Sequence, residues 1–257
     1  MIKYPNINPN IISFNGIHLR WYGLAYALGF IAGYLYLNKK LKKLRIDGLM
    51  DDVLLYAVLG VIIGGRVGYV LIYNLPYYLK HPIEVLFIWR GGMSFHGGLV
   101  GTAVAGILLA KKYNISFYDI ADEAVVIAPI GLFLGRIANF INDELWGRPS
   151  DLPWAVAFPT GGFIPRHPSQ LYEAFFEGLV LFLILFFARD KLINKRGVLF
   201  WLFVLLYGFF RFFIEFTREP DPQLGFIFGL TMGQWLCLIM IAISIIELLK
   251  RWNYDKS

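Results

Sequence analysis

Charge is scarce in this chain. Only 16% of its 257 residues are Asp, Glu, Lys or Arg, against about 25% in soluble domains. Cysteine is nearly absent, and Cys237 alone excludes an internal disulfide. The four histidines, His18, His81, His96 and His167, show no metal-ligand spacing, so neither a zinc site nor any other cofactor is expected. The glycine-rich run Gly91-Gly92-Met93-Ser94-Phe95-His96-Gly97-Gly98 has no Gly-Lys-Ser/Thr after it and is not a P-loop. Ser94 lacks the Gly-x-Ser-x-Gly setting of a hydrolase nucleophile. Residues 1–19 hold scattered Asn and Pro and do not read as a secretory signal.

What is abundant is apolar. Hydrophobic residues make up 58% of the chain and aromatics 18%, and the mean hydropathy is +0.58. This composition excludes disorder, a collagen-like repeat and a disulfide scaffold, and it indicates an integral membrane protein. The net charge of +6 would suggest nucleic acid in a soluble chain. Here the cations cluster between apolar runs, so they report topology and no nucleic-acid partner is expected.

A helix needs about 20 apolar residues to cross about 30 Å of hydrocarbon. Seven runs meet that need, at roughly 20–38, 50–74, 94–112, 119–142, 169–188, 197–216 and 230–250. Their length predicts helices rather than barrel strands, which alternate over about ten residues. One side carries Lys39, Lys40, Lys42, Lys43, Arg45, Lys111, Lys112, Arg189, Lys191, Lys195, Arg196, Lys250, Arg251 and Lys256. The other carries half as many: Lys3, Arg20, Lys80, Arg90, Arg148, Arg166 and Arg218. The positive-inside bias then puts the N-terminus outside and the C-terminus in the cytoplasm. The expected fold is an all-α polytopic helix bundle of about seven transmembrane helices, a single integral membrane domain over 1–257.

Arg66, Arg136 and Arg211 fall inside these runs. Each costs about 2.5–3.5 kcal/mol at a helix centre, so each must be offset. Pairing with Asp122, Glu173, Glu177 or Glu215 is one account; a bound anion is the other. At a rise of 1.5 Å per residue, Arg211 lies about 8 Å, Arg136 about 9 Å and Arg66 about 12 Å from the outer end of its run. His96 lies near the outer end of the third. Arginine's planar fork suits phosphate, and a phospholipid headgroup is the natural anion at this depth. Tyr207, Arg211, Glu215 and Arg218 share one helical face, as do Arg136, Asn139 and Asp143, and Arg66, Tyr69 and Tyr73. Gly131 and Gly135 are positioned to let helices approach, and the glycines around His96 to let backbone approach a ligand. His96 is a candidate proton acceptor. No nucleophile stands out, so in an enzyme it would come from the substrate.

The run from Gly135 to Arg148, Gly-Arg-Ile-Ala-Asn-Phe-Ile-Asn-Asp-Glu-Leu-Trp-Gly-Arg, resembles the signature of bacterial prolipoprotein diacylglyceryl transferases. Further blocks resemble the family in order: Trp21 to Leu24, Gly64 to Tyr69, Met93 to Gly98, Arg166 to Glu173, Tyr207 to Arg218 with Pro220-Asp221, and Met232 to Gln234. Ala138 stands where the family usually has Gly. The resemblance implies a seven-span inner-membrane enzyme. It implies transfer of the diacylglyceryl group of phosphatidylglycerol to the lipobox cysteine of a preprolipoprotein, with release of glycerol-1-phosphate. By resemblance, Arg136 and Asn139 match positions that contact phosphatidylglycerol, and Tyr22 and Tyr207 match positions needed for activity. Glu144, Glu215 and Arg218 match polar positions that shape the site. The expected catalytic group is His96, Arg136, Arg211, Tyr22 and Tyr207. Arg136, Asn139, Arg211, Glu144, Arg66, Glu215 and Arg218 are expected to bind the lipid. A transporter of anionic solutes, or a membrane scaffold, is the alternative that the residues alone leave open.

Overall fold

A computed structural model of the chain describes residues 2–14, 17–219 and 226–254. Pro220-Asp221 and Lys256 lie outside the described residues, as do the side chains of His18, Arg90 and His96.

The apolar runs fold as helices: α1 (Trp21–Leu41), α2 (Leu49–Tyr73), α4 (Phe95–Lys112), α5 (Phe117–Ile141), α8 (Val198–Ile214) and α9 (Met232–Tyr254). The fifth run is continuous over Ser169–Leu192. It passes from α6 (Ser169–Glu173) through a π-helical stretch (Ala174–Val180) into α7 (Leu181–Leu192). Between α2 and α4 lies the short helix α3 (Leu75–Lys80), with Pro76 in its first turn, where a missing N–H costs nothing.

Among the described residues, five segments are long and apolar enough to cross a membrane: Leu49–Tyr73, Phe117–Ile141, Ser169–Leu192, Val198–Thr217 and Met232–Trp252. Only 17–33% of each apolar window is buried. Large side chains such as Ile72, Phe187 and Leu249 point outward. Apolar helices that leave most of that surface uncovered by protein are solvated by lipid rather than by a water-facing core.

The chain is not purely α. Among the described residues it also has seven short strands: β1 (Ile2–Lys3), β2 (Asn10–Phe14), β3 (Ile17–Arg20), β4 (Val156–Ala157), β5 (Pro165–Arg166), β6 (Phe226–Ile227) and β7 (Leu230–Thr231). They pair as a β1-β4-β5 sheet and two hairpins, β2-β3 and β6-β7. They lie between or before the long helices, where backbone groups lacking helical partners must pair with one another.

Two compact units form, Met1–Tyr36 with Asp122–Ser257, and Leu37–Ala121. In the second, α2 and α4 meet through glycine. A Cβ built on Gly64 would lie 2.4 Å from the Gly97 carbonyl oxygen, and one on Gly101 would lie 2.2 Å from that of Gly60. Backbones this close are the packing that small residues permit between membrane helices. Gly97, expected to admit a ligand, is therefore occupied by a helix contact. Ser94 caps α4 by accepting from the Gly97 N–H at 3.2 Å, and its own N–H donates to Gly65 O at 2.8 Å.

In the first unit, Val125, Val126, Leu181, Leu185 and Leu199 form a core among α5, α7 and α8. Asp122 does not meet a buried arginine there. Its carboxylate accepts from Gly197 N at 2.6 Å and Phe200 N at 2.8 Å, capping α8 at its N-terminus. Gly197 supplies the positive φ of 79° that starts that helix. Arg189, counted as a loop cation, is the last-turn partner of fully buried Glu123, bonded at 2.5 and 2.9 Å.

Candidate functional site

The site of the first unit is built around Glu173. The π-helical stretch presses Gly178 against α5, where an added Cβ would lie 2.6 Å from Phe133 Cβ. Only glycine admits that approach, and π stretches inside helices often mark functional positions. Glu173, at the end of α6, reaches arginines from α5, from α8 and from the segment after α8. Its Oε2 lies 2.7 Å from Arg136 Nε and accepts from Arg211 Nη1 at 2.9 Å. Its Oε1 accepts from Arg218 Nη1. Glu215 closes the ring, with Oε2 3.0 Å from Arg211 Nη2 and 3.4 Å from Arg218 Nε, while its Oε1 accepts from Thr231 Oγ1 at 3.1 Å.

Internal pairing with Glu173 and Glu215 thus offsets the burial of these arginines. It does not use them up. Glu173 is wholly buried, whereas the Arg136, Arg211 and Arg218 side chains keep 15%, 16% and 18% of their surface. Glu173 keeps no exposed surface while the three arginine side chains keep some, and guanidinium donors not used by these carboxylates could serve an anion.

A second polar string extends from this ring. Arg136 Nη1 donates to Asn139 Oδ1 at 3.4 Å, and Asn139 Nδ2 donates to Glu144 Oε1 at 2.7 Å. Asn142 Nδ2 donates to the same oxygen at 3.3 Å. Glu144 lies beyond the end of α5, on a turn whose flanking residues Asp143 and Leu145 have positive φ of 56° and 58°. Non-glycine residues hold that conformation only where the surroundings enforce it. Here Gln170 Nε2 donates to Glu144 O at 2.6 Å and Ser169 Oγ to Leu145 O at 3.0 Å. Asp143 leaves the face expected for it and accepts from Thr160 N at 2.7 Å. Glu144, Asn142, Tyr22, Gly23, Leu19 and Arg20 line a cleft of about 520 Å³. Tyr22 packs edge-on against Tyr26, with ring centroids 5.1 Å apart.

Arg136, Arg211, Arg218, Asn139, Glu144 and Glu215 therefore come together, and Tyr22 lies on the cleft that Glu144 shares. Tyr207 stacks on Phe203 one turn before Arg211. Arg66, in the second unit, has another task. Its guanidinium donates to Glu84 O (2.6 Å), Val85 O (2.8 Å), Gly91 O (2.8 Å) and Gly92 O (3.0 Å), tying down the segment ahead of α4. Four carbonyls partner this buried cation. Tyr69 stacks on Tyr73 beside it. Gly131 meets α1 at Gly29, 3.5 Å from an added Cβ there, while Gly135 borders open space.

Three residues escaped the expected site. Glu173 was legible as a possible counter-charge and as the end of a family-like block, and Glu177, four residues on, only as a possible counter-charge. Gly147 was legible only as part of a motif. A Cβ at Gly147 would lie 2.3 Å from Thr217 O. The Gly147–Arg218 bridge, with Arg148 N donating to Thr217 O at 2.9 Å, fixes the strand-like stretch from which Arg218 reaches back.

A family model described as prolipoprotein diacylglyceryl transferase matches residues 9–250. Similar curated proteins carry the name phosphatidylglycerol–prolipoprotein diacylglyceryl transferase. The one from Methylocella silvestris is 51% identical over 252 residues, covering 94% of this chain and 93% of its own. That from Nitrobacter hamburgensis is 49% identical over 265 residues, covering 98% and 91%. That from Geobacter sulfurreducens is 48% identical over 248 residues, covering 95% of each. With so much of both chains aligned at half identity, this chain belongs to the prolipoprotein diacylglyceryl transferase family.

Proposed function

We propose that this protein transfers the diacylglyceryl group of phosphatidylglycerol to the lipobox cysteine thiol of a preprolipoprotein, forming a thioether and releasing glycerol-1-phosphate. The whole chain, 1–257, acts as one domain of the bacterial inner membrane. It crosses that membrane seven times, with the N-terminus outside and the C-terminus cytoplasmic. The observation that carries this reading is the ring in which Arg136, Arg211 and Arg218 converge on one buried carboxylate while their side chains stay partly exposed.

In this mechanism Arg136 and Arg211 grip the phosphate of phosphatidylglycerol, with Asn139 beside them. Glu144, Glu215 and Arg218 shape the pocket. A thiol of pKa about 8.5 is mostly protonated at neutral pH. His96 takes the proton from the cysteine sulfur, and the sulfur attacks the glycerol carbon. The carbon–sulfur bond forms as the carbon–oxygen bond breaks, and the electron pair stays on the phosphate. A neutral thiol, a neutral imidazole and a phosphodiester monoanion thus become a thioether, an imidazolium and a phosphate monoester dianion. The second negative charge develops against the arginines in a low-dielectric site, where fixed charges are most effective. Tyr22 and Tyr207 orient the headgroup through their hydroxyls. Holding lipid and thiol at one depth supplies further acceleration through proximity.

Incubation of the purified protein with phosphatidylglycerol and a lipobox peptide tests the reading. Release of glycerol phosphate together with lipidated peptide is expected. Uptake of an anionic solute into vesicles without release would mean a transporter.

A further inference from the structure

Glu177 has no place in the mechanism above. It sits on the π-helical stretch with no exposure to solvent, and neither of its carboxylate oxygens meets a hydrogen-bond donor. The nearest cation is Arg211 Nη1 at 3.7 Å, and that nitrogen already donates to Glu173. Charged and titratable groups face Glu177 from every side. Arg211 and Tyr207 belong to α8, Arg136 to α5, Glu173 to its own helix, Arg218 to the segment after α8 and Cys237 to α9.

The charge count of the ring is telling. Three guanidinium groups face Glu173, Glu177 and Glu215, so the cluster is neutral when all six are ionised. A phosphodiester monoanion entering it would leave one uncompensated negative charge in a low-dielectric setting, which is costly. One proton removes that charge. Protonating Glu173 would weaken three arginine contacts, and protonating Glu215 would weaken two. Among these three carboxylates, Glu177 alone has both oxygens free of donors, so it accepts a proton without breaking a bond.

We propose that binding of the phosphate headgroup at this cluster is coupled to uptake of one proton from solvent by Glu177, which gives the proton back when the anionic product leaves. This rests on the reading of the ring as the phosphatidylglycerol site. Glu177 is a positioning residue: it touches no reacting atom and acts by setting the charge of the cluster that holds the anion.

The test uses the full-length protein in detergent, titrated calorimetrically with short-chain phosphatidylglycerol from pH 6 to pH 9. Each pH is run in two buffers that differ in ionisation enthalpy, which counts protons directly. The wild type is expected to take up about one proton per lipid at the upper end of this range. Its affinity should fall about tenfold per pH unit there, as a one-proton linkage requires. Glu177→Gln should bind without proton uptake and with a flat pH profile. Glu177→Asp, which keeps a titratable carboxyl, should retain the uptake. Wild-type binding with no proton uptake at any pH overturns the proposal, whether or not the variants fold. Unchanged uptake in Glu177→Gln also overturns it. Absence of saturable lipid binding by the wild type at every pH would instead remove the headgroup reading beneath it.

Discussion

Arg136 carries the most weight of any single residue. It spans both halves of the polar site, bonded to Glu173 through Nε and to Asn139 through Nη1. Arg136→Ala is expected to abolish peptide lipidation while the protein stays in the membrane fraction; full turnover by this variant would remove Arg136 from the mechanism. Glu173 is structural in a different sense. Removing one member of a buried ion pair costs about 3–5 kcal/mol, so Glu173→Ala should lose about that much stability in a detergent unfolding assay. His96→Gln should slow transfer more at neutral than at alkaline pH, where the thiol ionises unaided; an equal loss at both would argue for an orienting role. His167 gives a stability test. Burial, and then the Arg148 guanidinium, hold its imidazole below the ordinary histidine range. The folded protein therefore prefers it neutral. Its contribution is complete above about pH 6.5 and is lost as pH falls from there toward the lowered folded value. His167→Gln should accordingly flatten the loss of thermal stability on acidification to pH 5. The arginines were legible because charge in an apolar run is conspicuous. Their shared partner was not, because pairing through Glu173 depends on how three separate elements converge.

At the level of elements, glycine decides which helices touch. Gly64 and Gly101 leave no room for a side chain, so Gly64→Leu should force α2 and α4 apart and lower the yield of folded protein. Gly147→Ala should act more locally, pushing on Thr217 and withdrawing Arg218 from Glu173; activity should fall more than stability. The long helices were readable in the sequence since runs of some 20 apolar residues have one solution in lipid. The short strands were not, as a two-residue pair such as β1 with β4 leaves no periodic trace. Nor was the π-helical stretch: Glu173 and Glu177 look like ordinary helical neighbours, and only the Gly178–Phe133 contact reveals the altered winding. The cluster of Gly91, Gly92, Gly97 and Gly98 suggested a ligand loop. In the fold the first two lend carbonyls to Arg66, and Gly97 packs on α2.

For the whole molecule, the distribution of lysine and arginine predicts an orientation that labelling can check. In a Cys237→Ala background, Lys3→Cys should react with a membrane-impermeant maleimide in intact cells, and Lys111→Cys only after permeabilisation. The opposite pattern would invert the proposed topology and move the arginine ring to the cytoplasmic leaflet, away from any exported substrate. Membrane character followed from composition alone, and the five apolar segments agree with it. Activity did not follow from composition; it needed the ordered motifs and the relatives that the chain matches over nearly its whole length.

The account stands on the arginine ring as the holder of a phosphate headgroup. Equilibrium binding of short-chain phosphatidylglycerol to the wild type, Arg136→Ala and Arg211→Ala measures this without any chemistry. Loss of one charge-assisted bond is worth about 1.5–3 kcal/mol, so each variant should bind about ten- to a hundredfold more weakly. Binding equal to the wild type in both folded variants would contradict the account.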